Sequence, residues 1–168
     1  KNKYNGQVLR LALMSSHYRQ PLDWNDKLMD ECYKTLDKWY SCYLKLDKKV
    51  LIDEEDLMPL YDDLNTPRYI SVLHKLFDKA KSGNLQDKEK FIAGCNFVGL
   101  LEDSKEEWLS FKKSKIDISE KEIISMIDKR NEARNNKNYD LADKIRKELL
   151  DKGVLIEDKD GKTIWNIK

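Results

Sequence analysis

Apolar side chains recur at three- and four-residue steps along most of this chain, and most of the runs end on a recognisable stop. Residues 7–17 carry Val8, Leu9, Leu11, Ala12, Leu13 and Met14, apolar nearly all round, so they read as a buried helix ending near His17, with Pro21 just beyond. Leu28, Met29, Cys32, Tyr33, Leu36, Trp39, Tyr40 and Tyr43 then form one stripe of a long helix over 25–48. Asn25 is its expected N-cap, because the short amide side chain accepts an orphan backbone N–H. A short helix is expected at 54–64, with Pro59 tolerable only near its first turn. Thr66 as cap and Pro67 at the first helical position start the stripe Ile70, Leu73, Leu76, Phe77 and Ala80, which Gly83 stops. Phe91, Ile92, Cys95, Val98 and Leu101 predict a further amphipathic helix over 86–102. Short loops make such neighbours antiparallel, so residues 1–102 are expected to form an antiparallel helical bundle.

The pattern breaks between 103 and 118, where charges surround Trp108 and Phe111; this stretch reads as a linker with at most one helical turn. Ser119 opens a second unit. Ser119 and Glu122 have the spacing of a capping box, and Ile118 and Ile123 that of a hydrophobic staple. One helix follows to about Asn135, then a turn at 135–138, then a second helix from Tyr139 to Lys152 with Leu141, Ala142, Ile145 and Leu149 inward. After Gly153 the period changes to extended. Two β-forming runs flank Asp160-Gly161, a strong hairpin signal. The fold class is thus mainly α: a helical bundle (1–102), a linker (103–118) and a small α+β unit (119–168) built as helix–helix–β-hairpin.

Composition narrows the function. Six Gly and three Pro in 168 residues exclude a turn-rich all-β fold, and four Trp, eight Tyr and four Phe supply a real core. With 32 Lys and Arg against 31 Asp and Glu, the net charge of +1 excludes a generally basic nucleic-acid coat, though not a local patch. No apolar run is long enough for a transmembrane helix. The first residue is Lys1, and the chain reads as a piece of a longer protein. Cys32, Cys42 and Cys95 show no paired spacing, and the odd count of thiols fits a reducing cytoplasm. His17 and His74 stand alone, so no zinc site can be assembled. Phosphate-cradling glycine loops and nucleophile elbows are absent, and pairs such as Glu54-Glu55 and Asp62-Asp63 read as solvated faces. On residues alone this chain is no enzyme and holds no cofactor.

What remains is the elbow between the last two helices. From Lys129 to Lys147 seven cations (Lys129, Arg130, Arg134, Lys137, Lys144, Arg146, Lys147) stand against Glu132, Asp140 and Asp143, while the whole chain is near neutral. Tyr139 sits in their midst. A ring beside Arg and Lys offers a single-stranded RNA loop a stacking plate and phosphate neutralisation. Asp143, one turn later, suits base reading, since carboxylates accept from base N–H edges and are repelled by phosphate. The plainer reading is a helix laced with ion pairs, with Tyr139 packed on the hairpin. Elsewhere, His17-Tyr18-Arg19 reads as helix-end packing, His74 as surface, Trp24, Trp39 and Trp165 as core or joint fillers, and the thiols as inert.

Three separated segments, in order, resemble the C-terminal third of bacterial cysteinyl-tRNA synthetases. They are Val8 through Leu22 (VLRLALMSSHYRQPL), Asp62 through Pro67 (DDLNTP), and the tail from Ala133-Arg134 through Lys137-Asn138-Tyr139 and Ala142-Asp143-Lys144-Ile145-Arg146 to Gly161-Lys162-Thr163-Ile164-Trp165. The resemblance implies a parent enzyme that ligates cysteine to its tRNA with ATP and Mg²⁺, a zinc ion selecting the thiol. The HIGH, KMSKS and zinc-ligand motifs of that catalytic domain are not in this sequence, so the fragment alone is expected to be inactive. It implies a monomeric, cytoplasmic protein whose missing catalytic domain is a partner of this chain. It further implies that residues 119–168 grip the anticodon loop of cysteine tRNA: Arg134 and Asp143 by polar base contacts, Tyr139 by stacking and Asp158 from the hairpin. Lys137 joins the expected RNA-binding residues as a cation of the basic elbow. The family often has Trp where Tyr139 stands. Residues 120–152 also look like the helical hairpin of bacterial excision-repair proteins, which makes a protein-interaction module the alternative; the hairpin from Gly153 to Trp165 has no counterpart in that motif.

Overall fold

The computed structural model describes residues 4–116, 118–159 and 162–167. The chain is mainly α, with a two-stranded antiparallel sheet at the C-terminal end of the described residues. It divides into two compact units, Lys1–Glu107 and Trp108–Lys168.

The first unit holds α1 (Gly6–Met14), α2 (Asp26–Tyr40), α3 (Glu54–Tyr61), α4 (Thr66–Ala80) and α5 (Leu85–Phe97). Asn25 caps α2 as its chemistry requires, its side chain accepting from the Leu28 N–H. The helix stops at Tyr40 rather than running to 48. The Ser41 hydroxyl donates to the Lys38 carbonyl at 2.6 Å, and Cys42 and Tyr43 close three-residue turns, so the apolar period outlasts the helix itself. At α4 the cap moves back one residue. Asn65, not Thr66, accepts the Arg68 N–H at 3.1 Å, and Pro67 lies inside the first turn, where no N–H is needed. Pro59 lies beyond the first turn of α3, a position the short helix tolerates although the ring supplies no N–H.

Helix α5 ends sooner than its stripe suggested. Gly99 adopts φ 73° and the Leu100 N–H reaches back to the Cys95 carbonyl at 2.9 Å, a Schellman closure that takes Val98 and Leu101 out of the helix. Leu101, at φ 55°, gives its N–H to the buried Gln7 side chain at 2.6 Å, and Gln7 in turn donates to the Tyr40 hydroxyl. The core is aromatic: Trp39 meets Phe91 edge-on at 5.7 Å, and Phe77 lies 5.4 Å from Phe91. His74 is exposed, as expected, although one side of its ring is covered. It packs edge-on against Trp39 at 5.2 Å, and burial lowers its pKa. Trp24, by contrast, is exposed rather than a core filler.

The stretch 103–118 is not an open linker. It carries α6 (Lys105–Lys115), which starts at a capping box: the Ser104 N–H donates to Glu107 Oε2 at 2.7 Å, and the Glu107 N–H to the Ser104 hydroxyl. The compact units divide within this helix. Its apolar signal is one buried Trp108 and the stem of Lys112 a turn later, too thin a stripe to show in the sequence.

In the second unit α7 (Glu120–Asn135) and α8 (Tyr139–Asp151) lead to β1 (Val154–Lys159) and β2 (Lys162–Ile167). The Ser119–Glu122 capping box is formed, with the Ser119 N–H donating to Glu122 at 2.9 Å. Ile118, Ile123, Ile127, Ile145, Leu149, Val154 and Ile156 make the core, with Trp165 packed partly against it. The strands pair Val154 with Ile167 through Lys159 with Lys162. The Asp160-Gly161 pair that signalled the hairpin lies outside the described residues.

Candidate functional site

Helix α7 ends in a second Schellman closure. The Asn138 N–H bonds the Ala133 carbonyl at 2.8 Å and the Lys137 N–H bonds that of Arg134, with Lys137 in the left-handed region at φ 58°. Asn138 then caps α8 by accepting from the Leu141 N–H. Only Asn136, Lys137 and Asn138 separate the end of α7 from the start of α8. The sharp reversal leaves Tyr139 on the outside, 62% exposed.

The elbow, α7 and the hairpin enclose an open groove of about 490 Å³ lined by Asn131, Arg134, Asn135, Tyr139, Asp158 and Thr163. Three of the five residues expected from the sequence, Arg134, Tyr139 and Asp158, therefore share one groove. Lys137 and Asp143 are exposed on the same helical pair but do not line it.

Asp158, on β1, is the centre of this site. Its Oδ1 accepts from Arg130 Nη1 at 3.2 Å and from the Thr163 hydroxyl at 2.7 Å. Its Oδ2 accepts from Arg130 Nη2 at 2.8 Å and from Arg134 Nη1 at 2.6 Å. The Arg130 fork and the Thr163 hydroxyl, with the charge of Arg134 beside them, hold this carboxyl well below the usual carboxylate range. The sequence reading counted Arg130 as one more cation of the elbow. It is buried, its side chain only 8% exposed, while that of Arg134 is 46% exposed. The i,i+4 spacing of Arg130 and Arg134 puts both guanidiniums on one face of α7, opposite β1. That spacing, together with an Asp on an inward-facing hairpin, was the available signal for Arg130.

In the first unit, two of the quoted motif segments meet around Asp63. The Tyr18 hydroxyl donates to Asp63 Oδ1 at 2.7 Å, His17 Nε2 donates to the Asp63 carbonyl at 3.1 Å, and Arg19 lies 3.3 Å from the carboxylate. Asp63 and Leu64 both take left-handed backbone angles there, φ 53° and 51°. His17-Tyr18-Arg19 therefore ties the loop after α1 to the loop after α3. The thiols of Cys32, Cys42 and Cys95 are all buried, and burial raises that of Cys32 to about 11. Among the described residues no group of three or more His, Cys, Asp or Glu side chains could hold a metal ion, and no helix is long and apolar enough to cross a membrane.

No family model matches the chain. Curated relatives do, over nearly all of it. A cysteine–tRNA ligase of Pelagibacter ubique is 59% identical across all 168 residues, and the match covers 37% of that protein. A cysteine–tRNA ligase of Wolbachia pipientis is 39% identical over 95% of this chain, and one of Rickettsia canadensis 36% identical over 96%; each match spans 36% of the relative. The chain thus spans little more than a third of the length of these relatives. By sequence it is a homologue of the C-terminal portion of the cysteine–tRNA ligases.

Proposed function

We propose that this chain is the tRNA-binding portion of a cysteine–tRNA ligase, and that the groove between α7, the elbow and the hairpin takes unpaired nucleotides of the anticodon loop. The observation that carries this is the convergence of an exposed ring, an exposed guanidinium and a carboxylate on one open groove. Anticodon bases are splayed and unstacked, so their faces can lie on Tyr139 and their edges can meet Arg134, Asp143 and Asp158. Lys137, Lys144, Arg146 and Lys147 are exposed on the same helical pair and supply phosphate neutralisation. The hairpin, which the excision-repair motif does not share, contributes both Asp158 and Thr163 to the groove, and that favours RNA over a protein partner.

In this reading the parent is a cytoplasmic monomer that joins cysteine to its tRNA with ATP and Mg²⁺, zinc selecting the thiol in a catalytic domain. The first unit lies near the inner corner of the tRNA. The second grips the anticodon and contributes affinity and orientation far from the reacting end, binding energy that can position it. The test is chemical-shift mapping of the 168-residue chain with the anticodon stem–loop of cysteine tRNA. Shifts are expected at Arg134, Tyr139, Asp143 and Asp158, with affinity falling steeply as salt rises. Equal affinity for a stem–loop with a substituted anticodon would overturn base reading.

A further inference from the structure

A carboxylate has about four lone-pair sites, and all four of Asp158's are taken in the free protein. Two receive the Arg130 fork, one the Thr163 hydroxyl and one Arg134. A nucleobase donor can therefore reach Asp158 only by displacing one of these partners, and they are not equally displaceable. Arg130 is buried and two-pronged, and displacing it from Asp158 leaves its own buried guanidinium without a counter-ion. Arg130 Nη1 also lies 3.4 Å from Asn131 Oδ1, which braces the fork from its own helix. Thr163 is fixed on β2, opposite Asp158 in the strand register. Arg134 holds Asp158 through one nitrogen and is nearly half exposed, so water replaces its bond at little cost.

We infer that Arg130 is a positioning residue that anchors the Asp158 carboxylate, and that Arg134 is a displaceable arm which leaves Asp158 when a nucleotide enters the groove. The inference rests on the RNA reading of this groove and names how the site changes on binding. Release of Arg134 frees one acceptor position on Asp158 Oδ2 and one guanidinium edge at the same moment. The ligand that satisfies both offers an N–H donor and, close by, an acceptor or anionic oxygen, as a nucleobase with its own phosphate does. A bare phosphate satisfies Arg134 only and meets the Asp158 charge. The closed pair therefore also screens the groove against simple anions, and the anchored carboxylate keeps its position whether the arm is on or off.

The experiment uses the 168-residue chain, the cysteine-tRNA anticodon stem–loop, and a stem–loop with a substituted anticodon. The arginine side-chain Nε–H resonances are followed during titration, and affinities for both RNAs are measured for the wild type and for Arg130→Lys. The Arg134 resonance is expected to shift while that of Arg130 stays in place. Arg130→Lys keeps the charge but loses the fork, so the ratio of the two affinities is expected to fall about tenfold, the scale of one hydrogen bond to a charged group. A purely structural role would lower both affinities and leave their ratio intact. If the wild type discriminates between the RNAs but Arg130→Lys keeps the full ratio, or if the Arg130 resonance moves with that of Arg134, the anchor is refuted and the RNA reading survives. If the wild type does not discriminate, the RNA reading fails and the inference falls with it. Should Arg130→Lys melt, Thr163→Val removes a donor from the other side of the same carboxylate and is expected to lower the ratio about threefold, again on the scale of a single hydrogen bond; an unchanged ratio refutes the anchor there as well.

Discussion

The two units bury different things. In the first, the largest fully buried side chains are rings and long apolar groups, Trp39, Tyr69, Phe91 and Met29 among them, and the buried polar Gln7 is matched by Tyr40 and the Leu101 amide. In the second, Trp108 is the one large ring that is fully buried, the core cluster of α7, α8 and the hairpin is a small set of Ile, Leu and Val, and beside it a whole guanidinium is buried against a half-open groove. A core of that size has little surplus, yet it carries a desolvated charge that hydrophobic packing would replace without loss. The first unit spends its interior on stability, whereas the second holds Asp158 in place at a rim that water and ligands can reach.

The sharpest way to break this contrast is to remove a ring from the first unit. Phe91 is fully buried, in ring contact with both Trp39 and Phe77. Phe91→Ala is expected to lower stability by about 3–5 kcal/mol, read from chemical denaturation. A loss under about 1 kcal/mol, the scale of a surface change, would mean that this core is not what holds the unit.

Next in size is the carboxylate of the second unit. Asp158→Ala strands the buried Arg130, and a loss of about 3 kcal/mol is expected, the low end for a broken buried pair because water reaches Asp158. Arg134→Gln removes a partner that is nearly half exposed, and less than about 1 kcal/mol should go with it. Equal losses for the two variants would erase the distinction between anchor and arm.

The units should also fail at opposite ends of the pH scale. Asp158 has its folded pKa depressed, so its contribution is present above the unfolded value of about 3.9 and is lost as pH falls through the folded one. In the first unit burial raises Cys32 to about 11 and Tyr33 to about 12, and pushes Tyr40 and Tyr69 up as well. Groups raised in this way contribute fully below their unfolded values, about 8.5 for Cys and 10 for Tyr, and lose that contribution as pH climbs through the folded ones. Acid below about pH 4 should therefore loosen the second unit first, and alkali above about pH 9 the first. Unit-resolved hydrogen exchange across the pH range checks the order, and simultaneous loss at both extremes would count against it.

Much of this was legible in the residues. Caps and stops are local chemistry, so Asn25, Ser119 with Glu122, Gly83 and Gly153 mark their helix ends from the sequence alone. The ends of α2 and α5 were misjudged for one reason: apolar period continues wherever a loop is also packed against the core, as Tyr43 and Leu101 are placed after their helices have ended. Helix α6 was missed because its signal is a cap rather than a stripe. At the groove, Tyr139 and Arg134 stood out in the basic run of the elbow, whereas Asp158 was named only through the family resemblance. Arg130 was passed over despite its i,i+4 spacing to Arg134, since a charge that is buried by pairing across 28 residues looks in sequence like one more surface cation.

Lys137 offers the smallest and most discriminating change. It holds the left-handed position at the end of α7, φ 58°, where a side chain costs energy that glycine does not. Its place is dictated by the Schellman closure, since the Asn138 and Lys137 amides must both turn back to α7 for α8 to begin at once. Lys137→Gly is therefore expected to raise stability by about 0.5–1 kcal/mol. If Lys137 serves the RNA as a phosphate contact, the same variant weakens stem–loop binding uniformly across anticodon sequences and lowers the salt slope by about one unit. A variant that is more stable and binds no worse would show that the cation stands in the turn without touching the RNA, and would leave the groove of Arg134, Tyr139 and Asp158 to account for binding by itself.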